Sequence, residues 1–486
     1  MNYSLINLEI AVVLLGLGIL LADLWTPAVA QKRQLGYVAV IGLGLIFAYS
    51  CKFGGNGAQH AFRNMYVLDD LALFFKRFFL LTAIVVLLMS VEFADRIDAG
   101  ISEFYALVLF GLAGMMFAAS ANDFSLLFVS IELITVTFYI LTSFQRGRLV
   151  SLEAGLKYLI LGALSSAFMV YGIALVFGTT GKLNFDDIAA LSARLQENKI
   201  FLLGILLVLV GLGFKIAAFP VQMWAPDVYQ GSPTPATAFL GVGSKAAGFV
   251  MVLRVLFQAV PAVTAHWTKL CVVISMVTIL YGNLCAIPQR NLKRLLGYSS
   301  IANSGYMLIG IAALSASGQA AVLYYLSGYL FAVLAAFTVV VLVMRKLETE
   351  DITALAGLNQ RSPLLAATLT MAMVSLAGIP PLAGFFGKFL LIRAAVEQGP
   401  AHPGFYCLVG VALVGVVISI YYYFGVVRAI YWSKDPPDLS PIEISTPLKI
   451  AVYGCMAGML FLGLCPNTLM TWADQAVKVL PAVARL

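Results

Sequence analysis

Four ionisable side chains lie inside long apolar runs of this 486-residue sequence. Glu132 is the only charged residue in the run 124–145, and Lys215, Lys245 and Lys388 lie deep in three later runs. If these runs cross a membrane, four unpaired ions would cost on the order of 10 kcal/mol, about the whole stability of a domain. The four groups must therefore be paired, hydrated or neutral for part of the time.

One carboxylate cannot neutralise three amines, so at most one of these lysines has a full partner. Desolvation and like-charge repulsion favour the neutral form of the others. A carboxylate about 7 Å from an ammonium attracts it by about 2.4 kcal/mol at an effective dielectric near 20, so making or breaking the pair would move a proton. We predict a proton relay in which Glu132 modulates a first lysine and later lysines hand the proton along through water and hydroxyls. Six polar residues are candidates for holding that water: Ser244, Ser299, Ser300, Asn303, Ser304 and Tyr306.

Four further basic residues lie in apolar runs but nearer to the ends or on helical faces. Lys157 is close to the start of its run, and a relay role and a structural role both remain open for it. Lys76, Arg77 and Arg254 are predicted to be structural, with their long side chains reaching the lipid headgroups.

The composition excludes a soluble protein. Hydrophobic residues make up 61% of the chain and charged residues 11%, against about 25% charged in soluble domains. The bilayer core takes about 20 apolar residues per helical crossing, which leaves room for more than ten spans. The formal charge of +7 is dispersed between these spans rather than gathered in a stripe, so no nucleic-acid partner is predicted.

Cofactor motifs are absent from the sequence. The six cysteines are far apart with no C-x-x-C pair, and the three histidines fall between apolar runs, which argues against iron–sulfur, zinc and membrane haem sites. No phosphate-binding loop, dinucleotide fingerprint, nucleophile elbow or H-E-x-x-H motif is present. We predict that this chain binds no cofactor or metal and carries no redox centre.

The pattern of apolar runs predicts an all-α polytopic membrane protein with about fourteen transmembrane helices. The first run is too long for a secretory signal and follows no basic residue, so we interpret it as a retained span. The predicted spans are 5–25, 35–51, 68–91, 103–121, 124–144, 155–178, 200–231, 236–258, 268–287, 297–314, 319–344, 363–397, 404–431 and 449–469.

Two of the spans are interrupted by proline. Pro220 lies within 200–231, and Pro380 and Pro381 lie within 363–397, so each helix should open mid-membrane beside one lysine. Paired interruptions are typical of internally repeated transporters, in which half-helices meet a buried ion path. Ordinary proline kinks beside stray lysines are the alternative.

Basic residues in the loops predict the orientation. Fourteen Lys and Arg residues lie in odd-numbered loops and nine in even-numbered loops and the tail. By the positive-inside rule the odd loops face the cytoplasm, which places both termini on the periplasmic side of a bacterial inner membrane.

Three segments resemble the antiporter-like subunits of respiratory complex I, the proton-translocating NADH:quinone oxidoreductase. They are 211–235 (GLGFKIAAFPVQMWAPDVYQGSPTP), 293–307 (KRLLGYSSIANSGYM) and 375–389 (SLAGIPPLAGFFGKF). The DVYQGSP signature favours the N-type subunits over the larger L and M types. The resemblance covers nearly the whole chain.

This resemblance implies two inverted five-helix repeats, each with one broken helix. The implied units are 1–102 with three helices, 103–260 and 261–432 with one repeat each, and 433–486 with a loop and the last helix. Glu132, Lys215, Lys245 and Lys388 match the glutamate and lysines of the family's proton relay, and Lys157 matches an accompanying lysine. Many relatives have histidine where this chain has Asn303, which cannot titrate, so hydration would have to serve there.

The resemblance also implies partners. NADH, flavin, iron–sulfur clusters and quinone are expected on other subunits, and this chain is expected to contact other antiporter-like subunits, small membrane subunits and lipid. A subunit of a cation/proton antiporter or of a membrane-bound hydrogenase is the nearest alternative, and a plastid-type relative that takes electrons from ferredoxin is a variant. A structural scaffold without transport is a different class, in which neutralising the lysines would affect assembly alone.

Overall fold

The computed structural model describes residues 3–26, 29–54, 57–97, 100–347, 349–432 and 439–480. Helices dominate these ranges, because a helix satisfies the backbone hydrogen bonds of an apolar run internally, without water. The α-helices are α1 Asn7–Leu24, α2 Val29–Ser50, α3 Asp70–Phe93, α4 Ile101–Ala119, α5 Phe124–Thr142, α6 Leu149–Thr180, α7 Phe185–Ser192, α8 Lys199–Ile216, α9 Trp224–Gly231, α10 Thr234–Phe239, α11 Lys245–Leu253, α12 Thr264–Ala286, α13 Leu292–Ala312, α14 Ala316–Leu347, α15 Leu358–Arg361, α16 Pro363–Ala377, α17 Ala383–Gln398, α18 Gly404–Trp432, α19 Thr446–Leu464 and α20 Pro466–Val477. One antiparallel hairpin pairs β1 Gln59–Ala61 with β2 Tyr66–Leu68.

The all-α polytopic class is confirmed. Within the described ranges, 12 helices or continuous helical segments are long and apolar enough to cross a membrane, and the shorter helix α16 is also apolar. The predicted count of fourteen is reached if the more polar α13 and the two-part α16/α17 also cross, and it stays a prediction. The same holds for the units 1–102, 103–260, 261–432 and 433–486, and parts of the last unit, at 433–438 and 481–486, lie outside the described residues.

Odd-numbered and even-numbered loops gather at opposite ends of the helix bundle. Glu350 in the eleventh loop forms ion pairs with Arg148 of the fifth loop at 3.7 Å and with Lys293 near the ninth loop at 3.2 Å. At the other end, Asn64 of the second loop donates to Asp186 of the sixth at 2.7 Å. We name this second end, which carries the β1–β2 hairpin, the hairpin end. Lys434 and Arg485, which entered the count of basic residues, lie outside the described residues.

Two helices are interrupted at the prolines. Helix α8 ends before Ala217, whose φ is +55°, and the chain resumes as α9 at Trp224. Helix α16 ends before Gly378, whose φ is +85°, and α17 begins five residues later at Ala383. In both cases a residue in the left-handed region closes the first half-helix, as at many helix C-termini.

A third irregular helix lies between these two in the sequence. The continuous helical segment Thr234–Ala259 contains two π-helical stretches, Leu240–Ser244 and Arg254–Ala259, on either side of α11. Such π-helical insertions are frequently found at functional sites. Lys245 is the first residue of α11 and therefore follows the first of these stretches.

The prediction that Lys76 and Arg254 reach the headgroups is wrong. Both side chains are fully buried, because the chain supplies counter-ions that sequence reasoning did not pair with them. Lys76 Nζ lies 2.8 Å from Glu9 Oε1 on α1, and Arg254 makes two hydrogen bonds to the Asp69 carboxylate at 3.1 and 2.8 Å. Arg77 does have a structural role, since it donates to two backbone carbonyls at the end of α2.

Candidate proton-transfer site

Lys215 lies in the last turn of α8, directly before the first helix break, and only 4% of it is exposed. Its Nζ contacts the hydroxyl of Thr135 on α5 and lies 3.4 Å from the hydroxyl of Tyr158 on α6. No carboxylate in the described ranges lies within 4 Å of this amine. A hydroxyl can accept from an ammonium and donate to an amine, so these partners suit both protonation states.

The first break is enclosed by neighbouring helices. Trp224 Nε1 donates to the carbonyl of Phe214 at 2.9 Å, and Ser304 Oγ on α13 donates to the carbonyl of Ile216 at 2.5 Å. A membrane offers no water to such freed backbone groups, so other side chains must satisfy them. The break is therefore held open by specific contacts and keeps Lys215 in place.

Lys245 is buried among α9, α13 and α14, with 2% of it exposed. Its Nζ donates to the carbonyl of Ser300 at 2.6 Å and also contacts the Ser300 hydroxyl. That hydroxyl lies 2.8 Å from the hydroxyl of Tyr229, and the Tyr329 ring lies 5.9 Å from the amine. As with Lys215, the partners of this amine are neutral oxygens and ring faces.

The helices that carry the first two lysines are in contact. The hydroxyl of Tyr158 on α6 lies 3.4 Å from the amine of Lys215. Helix α11 packs directly on α8 here: a Cβ added to Gly248 would lie 3.1 Å from the Cβ of Lys215. Lys215 and Lys245 are therefore on touching helices.

Lys388 lies in α17, behind the second break, and 3% of it is exposed. Its Nζ donates to the carbonyls of Leu376 and Ala377 at 2.8 and 3.2 Å, which are the last carbonyls of α16. The C-terminus of a helix carries partial negative charge, which stabilises a cation by up to about 2 kcal/mol when partly buried. The ring of Tyr306 lies 4.7 Å from the amine.

Hydroxyl and amide groups fill the space between Lys245 and Lys388. Asn303 donates to Ser299 Oγ at 3.3 Å and accepts from the Tyr325 hydroxyl at 2.7 Å. Ser299 also contacts the Tyr423 hydroxyl, and Tyr325 packs against Gly387, next to Lys388. Of the polar groups predicted on α13, Ser300 contacts Lys245, and Asn303 is connected through Tyr325 to the residue next to Lys388.

Glu132 is half-buried on α5 and is not in contact with a lysine among the described residues. Its Oε1 accepts a hydrogen bond of 2.5 Å from Ser166 on α6. Glu132 lies one helical turn before Thr135, the hydroxyl that contacts Lys215, so it lies on the same side of α5. Any influence of this carboxylate on Lys215 therefore acts through space or through water.

Lys157 lies apart from these groups. Its side chain is 42% exposed and pairs with Glu153 at 2.7 Å and with Asp227 at 2.8 Å, and Arg294 shares the same aspartate. This arrangement is a half-exposed ion-pair network at the end of the bundle opposite the hairpin. Lys157 contacts none of the hydroxyls around Lys215 and Lys245 that the structure describes.

Sequence reasoning did not identify four tyrosines whose hydroxyls contact the lysines or the polar groups beside them. Tyr158, Tyr229, Tyr325 and Tyr423 come from four different helices. Each is an ordinary aromatic residue in an apolar run, so no local signal marked it. Among the described residues, no group of three or more His, Cys, Asp or Glu side chains is placed to hold a metal ion.

Comparison with known proteins identifies related chains over the full length. Residues 121–419 match the family model described as NADH:quinone oxidoreductase/Mrp antiporter, transmembrane. The NADH-quinone oxidoreductase subunit N of Heliobacterium modesticaldum is 41% identical over 483 residues, which cover 99% of this chain and 100% of the relative.

Solved structures share the fold. A chain of respiratory complex I from Thermus thermophilus superposes with a TM-score of 0.80 at 32% identity, covering 96% of this chain and 99% of that chain. A chain of the Mrp complex from Dietzia sp. gives a TM-score of 0.83 at 22% identity, covering 98% of both chains, which shows similarity of fold alone.

Proposed function

The chain belongs to the NADH-quinone oxidoreductase subunit N family, and on that premise we propose that it is a proton-translocating membrane subunit of such an enzyme. In this role the chain moves protons across the membrane while NADH is oxidised and quinone reduced elsewhere in the complex. The proton carriers are Lys215, Lys245 and Lys388, with Glu132 as a modulating charge.

One observation carries this proposal: three buried amines have only hydroxyl and carbonyl partners among the described residues. Burying a permanently charged ammonium in such a place costs several kcal/mol of desolvation free energy. Burying a neutral amine there costs less. Each lysine can therefore gain and lose a proton without breaking a salt bridge. Tyr158 and the Ser300 hydroxyl lie where a proton or a bridging water would pass between Lys215 and Lys245.

The proposal extends to the second half of the route. From Lys245 a proton would pass along Ser299, Asn303 and Tyr325 to Lys388. Because the Asn303 amide does not titrate, water held by these groups would carry the proton past it. Lys157 is assigned to the ion-pair network with Asp227 rather than to this route.

The helices of this chain are long and apolar enough for multi-pass membrane insertion, and a relative of known structure is a chain of respiratory complex I. We propose that the membrane is a bacterial inner membrane with both termini on the periplasmic side, as the basic loops indicate. The proposed neighbours are other antiporter-like subunits and small membrane subunits. The flavin, the iron–sulfur clusters and the binding sites for NADH and quinone are assigned to partner subunits.

The test is Lys215→Ala in the intact complex, reconstituted into vesicles. Alanine removes the amine but not the helix, so the complex should assemble, while proton transport and coupled quinone reduction should fall by about tenfold or more. NADH-driven acidification of the vesicles measures transport, and the amount of assembled complex is measured in the same preparation.

Lys182→Ala is the matched control, because Lys182 is exposed at the hairpin end and its one ion pair among the described residues is with Asp187 at 3.4 Å. It should assemble and transport protons at the wild-type rate. Wild-type transport by an assembled Lys215→Ala complex would contradict the relay and favour a scaffold.

A further inference from the structure

A buried ionic cluster at the hairpin end lies outside the proposed lysine route. Lys76 Nζ on α3 lies 2.8 Å from Glu9 Oε1 on α1 and 2.6 Å from the hydroxyl of Tyr66 on β2. The Tyr66 hydroxyl in turn lies 3.0 Å from Glu9 Oε1. The side chains of Glu9 and Lys76 are 0% exposed. These three residues are the Glu9–Tyr66–Lys76 cluster.

One atom of this cluster is unsatisfied. Glu9 Oε2 is buried and has no hydrogen-bond partner among the described residues. A bare carboxylate oxygen in a dry site costs more than a lost neutral hydrogen bond, because its charge is also desolvated. A proton or a water molecule on Oε2 removes that cost, so the cluster is built for a group that the protein side chains do not supply.

The cluster has two protonation states with the same net charge of zero. In the first, Glu9 is a carboxylate and Lys76 an ammonium. In the second, one N–H bond of Lys76 has broken and one O–H bond has formed on Glu9, which leaves a neutral acid and a neutral amine. Desolvation of two buried ions costs several kcal/mol each, and the attraction within the pair offsets much of that cost. The ion pair and the neutral state are therefore similar in free energy and compete.

A cavity of about 160 Å³ at the hairpin end is lined in part by Leu5, the residue whose carbonyl accepts from the Tyr66 hydroxyl. Its lining includes Leu5, Gln59 and Asp69, and it is large enough for several water molecules. The Tyr66 hydroxyl lies 3.0 Å from the carbonyl of Leu5 as well as from Glu9. The hydroxyl has one hydrogen and two neighbouring acceptor groups. Rotation about its C–O bond therefore points the hydrogen either at the Glu9 carboxylate or at the Leu5 carbonyl in the cavity wall.

The cavity is also connected to the helix that carries Lys245. Asp69 lines the cavity and is bound by both terminal nitrogens of Arg254, which lies in the same continuous helical segment as Lys245. The Asp69 carboxylate therefore links the cavity wall to the segment Thr234–Ala259.

We propose that the Glu9–Tyr66–Lys76 cluster is a second proton-holding site, which exchanges protons with water in the hairpin-end cavity through the Tyr66 hydroxyl. This inference rests on the proposed function, because it places the exchange at one end of the proton path. Each exchange starts from the neutral state: the acid proton of Glu9 passes to the Tyr66 oxygen while the hydroxyl proton passes to a water molecule that connects it to the cavity. This leaves a carboxylate beside a neutral amine, and the reverse step reloads the carboxylate.

Three variants of the intact complex in vesicles test the site. Glu9→Gln removes the titrating oxygen and keeps its shape, Tyr66→Phe removes the connecting hydroxyl and keeps both charges, and Glu9→Gln/Lys76→Met removes both charges together. Each should transport protons at about half of the wild-type rate or less per assembled complex.

A purely structural ion pair gives a different pattern. In that case Glu9→Gln loses assembly because it leaves an unpaired buried amine, and Glu9→Gln/Lys76→Met restores both assembly and transport. Wild-type transport by the assembled double variant, or by Tyr66→Phe, overturns the proposal. Tyr66→Phe decides the question if the charge variants fail to assemble, because it leaves the ion pair in place.

Tyr105→Phe is the matched control, since the Tyr105 hydroxyl is buried and has no partner among the described residues. It should transport protons at the wild-type rate. Lys215→Ala in the same preparation separates the two proposals. Reduced transport in Lys215→Ala with normal transport in Tyr66→Phe rejects this cluster alone, whereas normal transport in Lys215→Ala rejects the proposed function.

Discussion

At the scale of single residues, the lysines differ in the kind of oxygen they contact. Lys215 contacts hydroxyls, Lys245 a hydroxyl and a carbonyl, and Lys388 two carbonyls at a helix C-terminus. Hydroxyls can reverse the direction of a hydrogen bond, whereas carbonyls only accept. Lys388 is therefore the amine whose surroundings most favour the ammonium, and Lys215 is the one best arranged to pass a proton on.

Asn303 gives the sharpest test at this scale. Asn303→Leu removes the hydrogen bonds to Ser299 and Tyr325 and should lower proton transport several-fold, because the water-holding link between Lys245 and Lys388 is lost. Asn303→His restores a polar bridge of similar length and should retain most of the transport. The measurement is the initial rate of vesicle acidification per assembled complex.

Equal transport by the leucine variant and the wild type would mean that protons do not pass Asn303. Thr338→Val serves as a control, because the buried Thr338 hydroxyl on α14 donates to the Leu334 carbonyl of its own helix and makes no other hydrogen bond in the described ranges.

At the scale of elements, the second break depends on close packing of its half-helices. In the second break a Cβ on Gly384 would lie 1.8 Å from the carbonyl oxygen of Ser375, so α17 and α16 touch backbone to backbone. Helix α19 presses on the same point, where a Cβ on Gly463 would lie 1.8 Å from the carbonyl oxygen of Pro381. These contacts fix the position of Lys388 against the last carbonyls of α16.

Gly384→Ala should therefore destabilise the complex by about 1–3 kcal/mol, because the added methyl group forces the half-helices apart. The expected observation is a lower Tm of the assembled complex, together with slower proton transport as Lys388 moves from its carbonyls. Thermal unfolding of the purified complex measures the first effect.

Gly425→Ala is the control for this change. Gly425 lies in α18, and a Cβ there would have no atom within 4 Å, so the Tm should be unchanged or slightly higher. A Gly384→Ala complex with the wild-type Tm would show that the half-helices have room to separate.

At the scale of the whole molecule, polar contacts connect loops only at the ends of the bundle. Glu350 gathers basic side chains of odd loops at one end, and Asp186 joins even loops at the hairpin end. The amines of Lys215, Lys245 and Lys388 have no carboxylate partner between these ends in the described ranges. Charge is thus paired at both ends and left unpaired in between, which is where a mobile proton is needed.

The orientation of the ends is testable by cysteine labelling. In a chain with the exposed Cys51, Cys407 and Cys465 replaced by serine, Lys182→Cys lies at the hairpin end and Arg146→Cys in an odd loop. An impermeant maleimide added to intact spheroplasts should label Lys182→Cys and reach Arg146→Cys only after permeabilisation, because basic odd loops favour the cytoplasm. The opposite pattern would reverse the proposed orientation.

Several features could be predicted from the sequence because they depend on neighbours in the chain. The length of the apolar runs predicted the spans. Pro220, Pro380 and Pro381 predicted the helix breaks, because the missing proline N–H acts within one helical turn. An ionisable residue in an apolar run marked Glu132, Lys215, Lys245 and Lys388. The family resemblance followed from contiguous motifs.

Only the tertiary structure decided the partners of those residues. Lys76 and Arg254 have the same local signature as Lys215, yet Glu9 and Asp69 pair with them from positions 67 and 185 residues away in the sequence. Tyr158 and Tyr325 became part of the site only because helix packing brings their hydroxyls to Lys215 and Asn303. Whether a buried charge is neutralised depends on atoms a few ångströms away in space, and spacing along the chain does not specify those contacts.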